Sequence, residues 1–104
     1  MKEFRCLTEA TELYKLAKQT KLKAFMRDQL LRASSSVALN LAEGNARRTS
    51  KDRLRFFNIA LASLREVQMI CKLEDLERLA QKADQVGGMI YALNRSVTGT
   101  VNRD

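Results

Sequence analysis

Apolar residues recur at spacings of three and four along most of the chain, and four such stripes can be followed. From about Cys6 to Thr20, the positions Cys6, Ala10, Leu13, Tyr14 and Ala17 fall on one side of a helix. Met26, Leu30, Ala33, Val37 and Leu41 repeat the pattern from about Phe25 to Glu43, with Gly44 placed as a C-cap. A third stripe runs from about Lys51 to Cys71 through Leu54, Phe57, Leu61, Leu64 and Cys71, with Thr49 or Ser50 as its N-cap. The fourth passes through Leu76, Leu79 or Ala80, Ala83, Val86, Ile90, Leu93 and Val97, a nearly regular heptad seam.

The boundary between the last two stripes is weakly marked. Lys72-Leu73-Glu74-Asp75 holds neither glycine nor proline, and Asp75 as an N-cap is the one turn signal. One continuous helix through it would run about 47 residues and roughly 70 Å, more than so small a domain can cover. A hairpin is therefore predicted. Short connections make successive helices antiparallel, so the expected fold is all-α: an antiparallel up-and-down four-helix bundle, residues 1–104 forming a single domain.

Two helices are apolar over more than one stripe. The third also carries Phe56, Ile59, Ala60, Val67 and Ile70, and the second carries Leu31, Ala38, Leu39 and Ala42 on its flanks. Either another copy of the chain covers this surface, making a homo-oligomer, or these helices are the most central in their own bundle.

Composition narrows the class. The 104 residues include no proline and four glycines, too few turn formers for a sandwich or barrel. No apolar run approaches the roughly 20 residues that cross a bilayer, and Met1 to Cys6 is charged where a leader would be apolar. A cytoplasmic protein without membrane contact is expected. Cys6 and Cys71, with no histidine in the chain, cannot supply four zinc ligands. The topology puts them at opposite ends of the bundle, beyond the roughly 7 Å that a disulfide spans, so both read as small buried hydrophobes.

Catalysis finds little support. There is no histidine, Gly-rich phosphate loop or paired-carboxylate motif, and Ser34-Ser35-Ser36 has no base near it in sequence. Those serines are expected to let helices approach closely. Glu43 has the chemistry of a base, but one residue before a helix C-cap and close to Arg47 and Arg48 it reads as a structural ion-pair partner. Asn40 reads as a polar group on the inner side of its helix that sets register, or as a plain hydrogen bond. Gly87-Gly88 inside the fourth helix implies close packing or a kink. No catalytic residue, metal or cofactor is expected.

Charge is the feature nearest to function. The formal net charge is +7, yet residues 15–55 hold eleven Lys and Arg against three acids, while the remaining residues sum to −1. Clustering of this kind is the footprint of a polyanion site. Arg47, Arg48, Lys51, Arg53 and Arg55 surround a helix N-terminus, where the macrodipole disfavours cations; stability does not call for them there, and a phosphate does. Lys18, Lys21 and Lys23 belong to the other end of the bundle, roughly 30 Å away, leaving two basic ends or a stripe joined by Arg27 and Arg32. These ten residues are the candidate nucleic-acid contacts. A solvated face with its dipole answered by Asp52 is the plain alternative.

The stretch Arg32-Ala33-Ser34-Ser35-Ser36-Val37-Ala38-Leu39-Asn40-Leu41-Ala42-Glu43-Gly44, then Arg47-Arg48, then Arg55 through Glu66, resembles the four-helix-bundle family of ribosomal RNA intervening-sequence proteins. That family includes the accessory variability determinants of diversity-generating retroelements. The resemblance covers nearly the whole chain and implies a homopentameric ring. In the retroelement members it implies a basic surface that engages RNA or DNA and a partner reverse transcriptase. Ala38 and Ala62 stand where the family often has proline and glycine, and neither change touches the basic positions. Two functions are thus expected: an oligomeric, basic nucleic-acid-binding accessory protein, or a non-catalytic adaptor whose basic face meets an acidic protein. Five phosphate contacts would give the first a salt slope of about −4.5, a loss of roughly 500-fold in affinity between 50 and 200 mM.

Overall fold

A computed structural model describes residues 2–103, with the side chains of residues 2–4 and 103 left aside. The reading of Met1 and of its neighbours' side chains therefore lies outside the described residues. Four helices follow one another: α1 Lys2–Lys18, α2 Ala24–Asn45, α3 Ser50–Leu73 and α4 Glu77–Thr98, with a short 3-10 turn at Val101–Arg103. Each packs on its sequence neighbours and α1 closes on α4, giving an antiparallel bundle of 46 × 20 × 19 Å. The α1–α2 connection and the α3–α4 turn share one end. The α2–α3 connection and the end of α4 share the other.

The predicted stripes are the core. Cys6, Ala10, Leu13 and Ala17 of α1 are buried, as are Leu30, Ala33, Val37 and Leu41 of α2, Phe57, Leu64 and Cys71 of α3, and Leu79, Ala83, Val86, Ile90, Leu93 and Val97 of α4. The spacing puts each set on a single helical face, and removing those faces from water drives the assembly. Tyr14, Met26, Leu54, Leu61, Leu76 and Ala80 are half-buried at its margin. The second apolar face of α3 is largely absorbed here: Ala60, Val67 and Ile70 are buried, because α3 packs on both α2 and α4. Phe56 is half-buried, whereas Ile59 remains exposed, and on α2 Leu39 and Ala42 face outward. Ala38 and Ala62 sit within unbroken helices.

The ends of the elements show what each local signal does. Thr49 caps α3, its Oγ1 accepting from the Asp52 N–H at 3.1 Å. Gly44 is not a C-cap. It lies inside α2, which runs on to Asn45 with Ala46 beyond it, and its φ is not positive. Asp75 is likewise no N-cap: that position belongs to Leu76. Asp75 instead takes a left-handed conformation (φ 55°) just past α3, and the Leu76 N–H bonds back to the Cys71 carbonyl at 2.9 Å. This six-to-one closure is a helix-terminating turn, with aspartate where glycine is usual.

Of the glycine pair in α4, Gly87 is buried against Leu64, whose Cδ1 would be 2.9 Å from an added Cβ, so close packing is its role; Gly88 faces open space. The serine run divides its labour. Ser34 is buried and donates to the Leu30 carbonyl at 2.7 Å, while Ser36 Oγ meets Ser63 Oγ of α3 at 2.8 Å. Asn40 is not on the inner side; it is half-buried and donates to the Ser36 carbonyl and hydroxyl, supporting that cross-helix contact. Cys6 and Cys71 are free, buried and at opposite ends, and burial pushes each thiol up to about 11.

Candidate nucleic-acid interface

The candidate cations divide into two groups at the ends of α2, separated by its 22 residues or about 33 Å. At the α1–α2 end, Lys18 closes α1 with its Nζ 5.5 Å from the centre of the Tyr14 ring. Lys21 and Lys23 are exposed in the connection, and Lys23 takes the N-cap position of α2 in an extended conformation. Arg27 does not bridge the two ends. Its Nη1 donates to the Thr20 carbonyl at 2.9 Å, and Thr20 Oγ1 donates to the Leu16 carbonyl at 3.1 Å, so this guanidinium pins the connection. Arg32 stands exposed on the outer side of α2.

At the α2–α3 end the arrangement is tighter. Phe56 lies between two guanidiniums: Arg47 is 4.7 Å and Arg55 4.9 Å from its ring centre. Each arginine is also tied to a carboxylate, Arg47 Nη2 to Glu43 Oε1 at 3.1 Å and Arg55 Nη2 to Asp52 Oδ1 at 3.7 Å. A chain Glu43–Arg47–Phe56–Arg55–Asp52 therefore crosses from the last turns of α2 to the first turns of α3. Such contacts restrict side chains that otherwise move freely, and leave the remaining guanidinium N–H groups as donors. Arg53 is half-buried and sits 5.6 Å from the centre of Phe57. Arg48 in the connection and Lys51 in the first turn of α3 are exposed. Ser50 Oγ and Thr100 Oγ1 are 2.7 Å apart, holding the start of α3 to the end of α4.

Neutralisation is partial. Among the described residues, Lys21, Lys23, Arg32 and Arg48 have no carboxylate at ion-pair distance, whereas Glu12 lies 3.9 Å from Lys15 and Glu43 is taken by Arg47 alone. Pairs as solvent-exposed as those of Arg47 and Arg55 contribute little to stability. The α2–α3 connection and the start of α3 keep five cations against Glu43 and Asp52, whereas the α1–α2 end is shared with Glu74, Asp75 and Glu77 of the α3–α4 turn. Also among the described residues, no three metal-ligating side chains come together, and no helix is long and apolar enough to cross a membrane.

Phe56 belongs by periodicity to a second apolar face of α3, and in the structure its ring meets two arginines instead. The neighbouring Arg55 was the visible signal; Arg47, nine residues earlier, reaches the ring because α2 and α3 are joined by a four-residue connection.

Comparison with known proteins places this geometry in context. The family model described as 23S rRNA-intervening sequence protein matches residues 5–92. No curated protein is matched. A crystal structure of a protein with unknown function from the S23 ribosomal protein family, from Bacteroides thetaiotaomicron VPI-5482, superposes with a TM-score of 0.79 at 18% identity. The superposition covers 91% of this chain and 99% of that one, and at such identity the likeness is one of fold.

Proposed function

The chain belongs to the 23S rRNA-intervening sequence protein family, and we propose that it is a non-catalytic accessory protein that binds nucleic acid through phosphate contacts. The observation that carries the reading is the stack at the α2–α3 end, where Phe56 holds two guanidiniums beside the exposed Arg48 and Lys51. Arginines restrained in this way give up less side-chain entropy on meeting a phosphate, and their fork of donors suits its oxygens. The contacts are Lys18, Lys21, Lys23, Arg32, Arg47, Arg48, Lys51, Arg53 and Arg55. Arg27 contributes charge while pinning the connection. Phosphate contacts position a strand without reading its bases, so the binding is general with respect to sequence.

The resemblance supports two finer features of the proposal, a homopentameric ring and a reverse transcriptase of a diversity-generating retroelement as protein partner; composition, with no apolar run of bilayer length, supports a third, a place in the cytoplasm. Apolar surface for self-assembly exists on the outer sides of α2 and α3, where Phe25, Leu39, Ile59, Met69 and Leu73 are exposed. Light scattering that returns a single chain would remove the ring from the proposal and leave the phosphate contacts standing.

The test is fluorescence anisotropy of a labelled single-stranded RNA titrated with the protein at several salt concentrations. Five phosphate contacts predict a log–log slope of about −3.5 for a single strand, a loss of roughly 130-fold between 50 and 200 mM. No binding at low salt, or binding indifferent to salt, overturns the reading in favour of an adaptor with an acidic protein partner.

A further inference from the structure

A groove of about 300 Å³ opens between α3 and α4 toward the α2–α3 end, lined by Asn58 and Leu61 of α3 and by Tyr91, Asn94, Arg95 and Thr98 of α4. None of these residues belongs to the basic clusters, and residues 56–104 carry no net charge. Their chemistry is nonetheless suited to one kind of ligand. Tyr91 is 52% exposed and lines the groove, an aromatic side chain accessible to solvent. Asn94 is only 7% exposed, and its Nδ2 donates to Asn58 Oδ1 at 2.8 Å. Asn94 Oδ1 is buried without a hydrogen-bond partner, an orphan that calls for an explanation. The Asn58 oxygen is thereby committed, which leaves its NH2 as the donor on the groove wall. Arg95 is exposed and forms no ion pair among the described residues.

The groove lies on the side of α3 that carries Lys51. Lys51 precedes Asn58 by seven residues on α3, the same side of the helix two turns nearer that end, about 10.5 Å away. A strand held by phosphate at Arg48 and Lys51 has the groove within two nucleotides' reach. Its volume lies at the bottom of the range for ligand pockets, which suits one planar ring and excludes a folded element.

We propose that this groove receives one unstacked base of a single-stranded nucleic acid whose backbone is held at the α2–α3 end, an inference that rests on the phosphate-binding reading above. The Tyr91 ring supplies the stacking surface, the Asn58 NH2 donates to a carbonyl on the base edge, and Arg95 meets the neighbouring phosphate. Bases in a duplex have their faces covered and cannot enter, so the site distinguishes single strands from duplexes where the basic ends do not.

The chain has no tryptophan and two tyrosines, so Tyr14→Phe leaves Tyr91 as the one tyrosine fluorophore. In that background, a 12-nucleotide oligouridylate should quench tyrosine emission as it binds. Tyr91→Ala should weaken binding of the oligouridylate about 5- to 150-fold, the range of one base–aromatic stack. The salt slope and the affinity for a 12-base-pair RNA duplex should not change, and Tyr91→Phe should bind like the parent chain. Unchanged oligouridylate affinity in Tyr91→Ala, while Arg47→Ala/Arg48→Ala weakens it, overturns the groove and leaves the phosphate reading standing. An equal loss toward the duplex also overturns it. If the parent binds neither RNA at 50 mM salt, the phosphate reading itself fails and the groove inference falls with it.

Discussion

Gly44 of α2 lies so close to Phe57 of α3 that a β-carbon on it would stand 2.6 Å from Cε1 of the ring and 2.8 Å from Cδ1. The ring is fully buried, so it has no free space into which to retreat. This contact sets how closely α2 and α3 approach at the end where Arg47 meets Phe56.

Gly44→Ala is therefore expected to destabilise the bundle by about 1–3 kcal/mol through overpacking, despite alanine's better helix propensity. The melting temperature should fall by roughly 4–8 °C for each kcal/mol. Gly88→Ala is the internal control: nothing lies within 4 Å of its added Cβ, so it should gain about 0.5–1 kcal/mol. Urea unfolding of the two variants, with midpoints compared at unchanged slope, checks both.

The contrast shows which part of the fold could be read from sequence. Periodicity located all four helices to within a few residues, because a buried face leaves its spacing in the chain. Gly44 could not be interpreted the same way: a glycine near a helix end suggests a cap, and only the position of Phe57 on another helix reveals a close approach. The site divides similarly. Charge clustering pointed to both basic ends, yet Arg27 is turned to the Thr20 carbonyl and Phe56 to two arginines. Arg55 beside Phe56 is the one mark in local sequence; the Arg27–Thr20 and Arg47–Phe56 contacts leave none, since each depends on how a connection folds back.

Asp75 offers a second check on stability. A non-glycine residue in the left-handed region carries a backbone cost of order 1 kcal/mol, eased for aspartate by local hydrogen bonding. Asp75→Gly should retain the closing bond from Leu76 N–H to the Cys71 carbonyl and raise stability by up to about 1 kcal/mol. A fall in the thermal midpoint would show that the aspartate side chain itself holds the turn.

The closure of α1 on α4 is expected to be pH-sensitive. Glu9 Oε1 accepts from Lys82 Nζ at 3.0 Å and from Gln85 Nε2 at 3.0 Å. The Lys82 hydrogen bond, then the Lys82 charge, hold the Glu9 carboxyl below the ordinary carboxylate value. A lowered folded pKa means that the unfolded chain takes up the proton first as acid is added. The stabilisation is thus complete above the unfolded value, near 4.3, and is lost as pH falls through the folded one. Glu9→Gln should be less stable than the parent at pH 7, and the gap should close as pH falls through the lowered folded value. Urea midpoints at pH 7 and pH 3 test this, and a constant gap would mean that the charge of Glu9 is not what matters.

Among the proposed phosphate contacts at the α2–α3 end, Arg47 and the exposed Arg48 stand side by side in the connection. The most direct measurement of their contact with phosphate is the salt dependence of single-stranded RNA affinity for the parent chain and for Arg47→Ala/Arg48→Ala. Loss of two phosphate contacts should flatten the log–log slope by about 1.4 and weaken binding at 50 mM salt by the same proportion on every sequence tried. A slope unchanged by the double substitution would contradict the account.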